Sequence, residues 1–263
     1  MQIIVTVKEV AIVGDTFEID GLDVDEKYLS YDLNEWDEYA LEAAVQYGEN
    51  HDDVEVVTVT IGPERAEETI RTALAKGADR AVRVWDDDLA AVDPDPSTTA
   101  SLLAAVVEDE EPDMVLTGVQ SGDASFAATG VALAQHVDFQ WAAVVTNLDA
   151  DHEDDRARVH RELEGGVEEI TDVTEPAVFT IQTGINEPRY ASLRGIRQAQ
   201  QKEIAVRTLD DLGLDASVLE SPTTRTAMYE PESESDVTIF EGEPEETAAQ
   251  LADQLRDLGV GDA

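Results

Sequence analysis

The apolar positions of this chain change rhythm near residue 140. Ile3 to Val7 form an almost unbroken apolar run, the pattern of a strand covered on both faces of a parallel sheet. An acidic stretch from Gly14 to Asp32 follows, in which Thr16 to Ile19 and Tyr28 to Tyr31 suit a small excursion. A helical period then starts at Asn34, with Asp37 three residues on in a capping-box arrangement. Trp36, Tyr39, Ala40, Ala43, Ala44 and Tyr47 supply its apolar face, and Gly48 ends it. Next come a strand over Val54 to Ile61, the dipeptide Gly62-Pro63, a helix from Glu64 to Lys76 closed by Gly77 as a left-handed cap, and a strand over Arg80 to Trp85. The loop Asp93 to Pro96 leads into a helix from Ser97. Pro112 resets the chain before a strand over Met114 to Thr117 and a helix near Phe126 to His136.

Strand alternating with helix predicts an α/β fold, an open and mostly parallel sheet flanked by helices with right-handed connections. Beyond this core the segments become strand-rich, at Ala142 to Leu148, Ala157 to Leu163, Val167 to Val173 and Ala177 to Gln182, with Gly165-Gly166 as a turn. The acidic run Asp149 to Asp155 reads as a solvated hairpin tip in preference to a metal site. From Thr208 the chain is loop-rich and acidic until an amphipathic helix near Glu245 to Leu258. The expected division is an α/β domain over residues 1–204 and an acidic C-terminal arm over 205–263, which lies on another surface because such a segment cannot bury a core of its own.

Charge narrows the partners. A net charge of −43 over 263 residues repels phosphate backbones, so nucleic acid is excluded. Disorder does not explain the acids, because 42% of the residues are hydrophobic and the acids fall among well-patterned elements. Lysine occurs only at 8, 27, 76 and 202. That balance suits a halophilic cytoplasm, where a Debye length of about 3 Å at 1 M salt screens the self-repulsion. The absence of cysteine excludes disulfides, thiolate metal sites and thiol catalysis. No apolar run approaches the roughly 18 residues of a membrane span, and the opening QIIVTV has no leader character, so a cytoplasmic location without membrane insertion is expected.

Catalytic signatures are missing: no G-x-S-x-G, H-E-x-x-H, Walker loop or G-x-G-x-x-G is present, and His51, His136, His152 and His160 lack mutual spacing and read as surface residues. The sequence therefore does not support a stand-alone enzyme. In open parallel sheets ligands lie beyond the carboxyl ends of the strands where the strand order reverses. This selects Thr6-Val7-Lys8, Thr60-Ile61-Gly62 and the small-residue loop from Thr117 to Gly130 as walls of one crevice. Free N–H groups of that loop suit a phosphate, although a tight strand-to-helix turn would need the same small residues. Gly184 to Leu193 are more distinctive. A strand ends at glycine, Pro188 stiffens the loop, and Arg189, Tyr190 and Leu193 offer contact groups, or brace the loop, before a helix begins.

At Gly184-Ile185-Asn186-Glu187-Pro188-Arg189-Tyr190-Ala191-Ser192-Leu193 the sequence resembles the beta subunits of electron-transfer flavoproteins. Their N-E-P-R-Y-x-x-L loop is preceded by an acidic-basic strand and a double glycine, here Arg161 to Glu168. The similarity includes the V-x-V-K start, the helix start from Asn34 to Ala44 and Gly62 to Val84, and runs in register over about residues 1 to 204. It implies a Rossmann-like domain of the adenine-nucleotide alpha-hydrolase kind in a heterodimer with an alpha subunit, with FAD held mainly by that subunit. It also implies AMP in this subunit, or a second FAD as in bifurcating and nitrogen-fixation-type members. Carried onto this chain, the nucleotide contacts fall at Thr6, at Asn34, Glu35, Trp36 and Asp37, at Ile61, and along the loop and helix from Ala124 to Gln135. Asn186, Glu187, Pro188, Arg189, Tyr190 and Leu193 fall in the loop that docks flavin dehydrogenases, and a quinone oxidoreductase or similar acceptor completes the chain of partners.

The resemblance is imperfect at the nucleotide loop. Asp123, Ala124, Ser125, Phe126, Ala127, Ala128, Thr129, Gly130 and Val131 replace a run richer in Asp and Asn, and Glu35-Trp36 stand where Pro-Phe is common. Fewer side-chain contacts to phosphate, and a Phe126 expected to intrude where a flavin ring would lie, favour AMP over a second FAD. A universal-stress-type adenine-nucleotide regulator is the reading from another functional class.

Overall fold

A computed structural model describes residues 1–151, 155–230 and 237–260. They belong to two compact units, Met1–Ala227 and Met228–Ala263. The first unit opens with strand β1 (Gln2–Thr6) and an excursion in which β2 (Glu9–Val13) pairs with β5 (Leu29–Leu33) around a small hairpin of β3 (Ile19–Asp20) and β4 (Asp23–Val24). The predicted excursion is present, but its strands are shifted from Thr16–Ile19 and Tyr28–Tyr31. Helix α1 (Glu35–Asn50) runs through Gly48 for a further two residues. Then follow β6 (Glu55–Ile61), α2 (Glu67–Lys76), β7 (Arg80–Val84), α3 (Pro96–Glu110), β8 (Met114–Gly118) and α4 (Thr129–His136). A single 3-10 turn at Glu64–Ala66 takes the place of the first turn expected of α2. Asp95 caps α3 by accepting the Thr98 N–H at 2.8 Å, with Pro96 in the first turn, so the proline that ends the loop also starts the helix.

The later part supplies β9 (Gln140–Asp151), β10 (Arg156–Leu163), β11 (Val167–Thr174), β12 (Ala177–Ile181), α5 (Leu193–Ala199) and β13 (Ile204–Arg207). His152 and part of the acidic tip it belongs to lie outside the described residues. One nine-stranded sheet results, in the order β11-β10-β9-β12-β8-β1-β6-β7-β13. From β9 to β13 every pairing is parallel; β10 and β11 extend the β9 edge as antiparallel strands. The chain starts in the middle at β1, moves out through β6 and β7, and returns to the other side of β1 as β8. Strand order therefore reverses between β1 and β8.

Alternation along the central strands separates two apolar layers. Ile3, Val5, Met114, Leu116 and Phe179 face α1, α2 and α5. Ile4, Val57, Val59, Val115 and Val178 face α3 and α4. Both faces being covered explains why apolar residues stand at consecutive positions in these strands, and the threonines among them, such as Thr58, Thr117 and Thr180, are buried too. Gly77, with φ +138°, lies outside the left-handed helical well predicted for it, yet still needs glycine: a Cβ there would sit 2.7 Å from Val45 Cγ1. The first unit continues past residue 204, since β13 pairs with β7, and Leu209 and Leu219 are buried in the second apolar layer. The second unit contains α6 (Pro244–Asp257), none of whose residues is buried, with Leu251 and Leu255 one turn apart. No helix among the described residues is long and apolar enough to cross a membrane.

Candidate functional site

The reversal between β1 and β8 puts the switch point of the sheet at their carboxyl ends, where the crevice is expected, and the N-terminus of α1 is hydrogen-bonded to both strand ends there. Asn34 stands at the N-cap position, but neither it nor Asp37 makes the capping box. Their side chains turn instead to the strand ends. Asp37 is buried and accepts the Lys8 N–H on Oδ2 at 2.8 Å and the Gly118 N–H on Oδ1 at 3.1 Å, joining β1 to β8. Asn34 donates to the Gln120 carbonyl at 2.9 Å and accepts the Gly122 N–H at 3.2 Å. Burial pushes the Asp37 carboxyl up to about 7, against the amide hydrogens and the Lys8 charge that hold it down. Gly118 is obligatory here: a Cβ would meet Asp37 Oδ1 at 2.5 Å and Trp36 Cβ at 2.7 Å.

Lys8 reaches across the crevice to Asp123 Oδ1 at 2.6 Å and Ser121 Oγ at 3.1 Å. Burial raises the Asp123 carboxyl, but the Lys8 and Ser121 hydrogen bonds and the Lys8 charge hold it below the usual carboxylate range. Each of the chain's four lysines is engaged in this way. Lys27 pairs with Glu18 and Asp25, Lys76 with Glu38, and Lys202 donates to the Ala78 carbonyl. Lysine scarcity is thus a second sequence signal for Lys8, which the strand-end rule already places on the crevice wall.

From Ser121 the loop runs over the crevice to α4, which starts at Thr129, three residues later than Phe126. Ser125 (φ +54°) and Ala127 (φ +51°) lie in the left-handed region, and that interrupts the helix. Among the described residues, no backbone N–H from Phe126 to Val131 donates within the chain; the first helical bond is Ala132 N–H to the Ala128 carbonyl. These donors, at the N-terminus of a helix, can receive an anion. Gly130 must lack a side chain, because a Cβ would lie 2.5 Å from Thr117 Oγ1. Phe126 does not fill the crevice as expected; it is 62% exposed. Thr6 and Ile61 end neighbouring strands, with Thr6 in register with Val59, two residues before Ile61. Glu35 points to solvent, while Trp36 is half-buried and donates to Gln182 Oε1 at 3.1 Å.

The second candidate region follows β12. Asn186 donates to the Tyr39 carbonyl at 3.0 Å, and Arg189 is held by Glu42 and Glu49 of α1. Tyr190 and Leu193 are 97% and 79% exposed, Glu187 is exposed and Pro188 half-buried. His51 stacks on Tyr47, and His136 lies 3.4 Å from Ser101 Oγ. Neither histidine is drawn into a site, and the described residues hold no cluster fit for a metal ion.

The electron transfer flavoprotein domain family matches residues 21–212. Electron transfer flavoprotein subunit beta of Methylophilus methylotrophus is 48% identical over 257 residues, covering 95% of this chain and 96% of that protein. The proteins of the same description from Bacillus subtilis and Homo sapiens are each 36% identical, covering 85% and 80% of this chain and 85% and 83% of their own lengths. A beta subunit has an alpha subunit as its partner, and flavin-based electron transfer as its field. On this identity and coverage, the chain belongs to the electron transfer flavoprotein family as a beta subunit.

Proposed function

We propose that this subunit is the AMP-holding half of a cytoplasmic electron carrier that takes electrons from flavin dehydrogenases and passes them to a quinone oxidoreductase or similar acceptor. FAD, held mainly by the alpha subunit, supplies the redox step when bound. No residue of this chain needs to act as a catalyst. The observation that carries the reading is the row of unused N–H groups from Phe126 to Val131 beside the strand reversal. A phosphate of AMP fits those donors, and Thr6, Asn34 to Asp37 and Ile61 form the other walls. Among the described residues, Lys8 is the one cation hydrogen-bonded to the 118–130 loop, and Asp123 already neutralises it. That supply suits a single phosphate better than the two of a second FAD. A second FAD is the other reading, favoured by the exposed Phe126, which leaves space that a buried ring would have closed. The second unit, with the exposed Leu251 and Leu255 of α6, packs on the alpha subunit, and the loop at Asn186 to Leu193 docks the dehydrogenase.

Denaturing the purified heterodimer and quantifying what is released tests this directly. One FAD and one AMP are expected; two FAD without AMP would overturn the choice. The acid excess, with every lysine neutralised or bonded, further supports a high-salt cytoplasm. On that reading the thermal midpoint falls when salt drops from molar to about 0.1 M, where the Debye length reaches about 10 Å, and equal midpoints would sink it.

A further inference from the structure

We propose that Arg189 is a positioning residue, gripped by Glu42 and Glu49 of α1 so that Tyr190 and Leu193 are held outward, and not a contact for the partner. The inference rests on the docking role proposed for this loop and adds how the loop is made ready for it.

Four of the five guanidinium hydrogens of Arg189 are accounted for within the chain. Nε donates to Glu42 Oε2 at 2.8 Å and Nη2 to Glu42 Oε1 at 3.1 Å. Nη1 and Nη2 donate to Glu49 Oε1 and Oε2 at 2.6 and 2.8 Å. Two carboxylates are thus bound in bidentate fashion, which leaves no fork for a carboxylate of another protein. Glu42 and Glu49 are seven residues apart, two turns of α1, and so share one face. The grip extends to the main chain: Arg189 N–H donates to Glu42 Oε2 at 3.1 Å, and Lys76 Nζ donates to the Arg189 carbonyl at 2.9 Å while pairing with Glu38. With Asn186 bound to the Tyr39 carbonyl, the loop is anchored to three residues of α1, Tyr39, Glu42 and Glu49, and to Lys76 of α2.

The two acids differ in setting. Glu42 is 5% exposed and Gln46 also donates to it, at 2.7 Å. Burial alone would raise its carboxyl, yet the Arg189 hydrogen bonds and charge and the Gln46 amide hold it below the usual range. Glu49 stands in solvent. Salt should therefore weaken the Glu49 half of the grip and leave the Glu42 half in place.

The test uses the heterodimer with its alpha subunit, in wild type and with Glu42→Gln, Glu49→Gln, Arg189→Lys and Leu193→Ala. Hydrogen exchange is followed in peptides covering 184–193 and in control peptides from β1 and β8. Electron transfer is followed with a flavin dehydrogenase that reduces the wild-type protein, separating KM from kcat. Glu42→Gln and Arg189→Lys should speed exchange in the loop about tenfold, the equivalent of one lost charged hydrogen bond, with the controls unchanged. KM for the reduced dehydrogenase should rise and kcat should not. Glu49→Gln, at an exposed position that cannot unfold the chain, should act in the same direction more weakly. Unchanged loop exchange in all three variants would overturn the grip. Faster exchange with an unchanged KM, while Leu193→Ala raises KM, would overturn positioning and leave docking intact. A Leu193→Ala variant with wild-type KM would instead remove the docking reading itself.

Discussion

The loops that follow the neighbouring strands β8 and β12 leave the same edge of the sheet and are held in opposite ways. The first, from Gly118 to Ala128, is tied by Asn34, Asp37 and Lys8 at its base, and its far half leaves backbone donors open. The second, from Gln182 to Ser192, is tied at Arg189 by two carboxylates and leaves side chains open, Tyr190 in the loop and Leu193 at the first position of α5. Open backbone donors suit a small anion, while open apolar side chains on a stiff loop suit a protein surface. The left-handed positions differ likewise: Gly184 (φ +86°) takes that role in the second loop, and Ser125 and Ala127 take it in the first.

Glycine substitutions should break this contrast most strongly. Gly118→Ala drives a methyl into Asp37 and the Trp36 backbone region, at a cost of about 2–3 kcal/mol of stability. Nucleotide retention should be lost with it, because Asp37 must move. Gly184→Ala meets nothing within 4 Å and carries only the left-handed penalty of about 1–2 kcal/mol. Denaturant unfolding of the two variants measures the difference; equal costs would mean that the crevice is looser than its geometry indicates.

Asp37→Asn comes next. The amide keeps one acceptor but turns its NH2 towards a backbone N–H, which costs about 1–3 kcal/mol. The sign with pH follows from a folded-state value near 7, above the ordinary 3.8. The folded protein holds this proton more tightly than the unfolded chain does, so the group's stabilising contribution is complete below about pH 4 and is lost as pH rises through about 7. The stability difference between wild type and Asp37→Asn should shrink over that window, by at most about 1.4 kcal/mol per pH unit. A constant difference from pH 4 to 8 would show that Asp37 does not titrate there.

In the second loop, Leu193→Ala should cost about 1–2 kcal/mol of dehydrogenase binding and little stability, because an exposed side chain has no core contacts to lose. A fall in thermal midpoint without loss of binding would reverse the assignment.

These particulars also show what the sequence made legible. Consecutive apolar residues at Ile3 to Val5 and at Val56-Val57 reveal the parallel strands, since both faces are covered, and Thr58, the polar residue that interrupts the second run, is buried as well. Asn34 and Asp37 stand out in the sequence as a pair, but their partners do not. Residue spacing suits a capping box, and only the tertiary placement of β1 and β8 turns those side chains to Lys8 and Gly118. Nothing in the sequence marks Glu42 and Glu49, because their partner lies 147 and 140 positions away in the chain. The sequence predicts a helix from near Phe126 because nothing in Ser-Phe-Ala-Ala forbids one; the left-handed residues there come from the path of the loop.

That path gives the smallest and most discriminating expectation. Ala127 holds φ +51° without the freedom of glycine, a strain of about 1–2 kcal/mol. Ala127→Gly removes the strain but adds about 0.4–1 kcal/mol of unfolded-state freedom, so a net gain of about 0.5 kcal/mol in stability is expected. If the strained turn serves to aim the N–H groups from Phe126 to Val131 at a phosphate, the same change lets them reorient, and AMP should bind several-fold more weakly although the protein is more stable. Denaturant unfolding and calorimetric titration of AMP into nucleotide-stripped heterodimer give the two numbers. Opposite signs mean that strain is held in this loop for the ligand. A gain in stability with unchanged affinity would mean that the first loop, like the second, owes its ligand to side chains, and the contrast between them would fail.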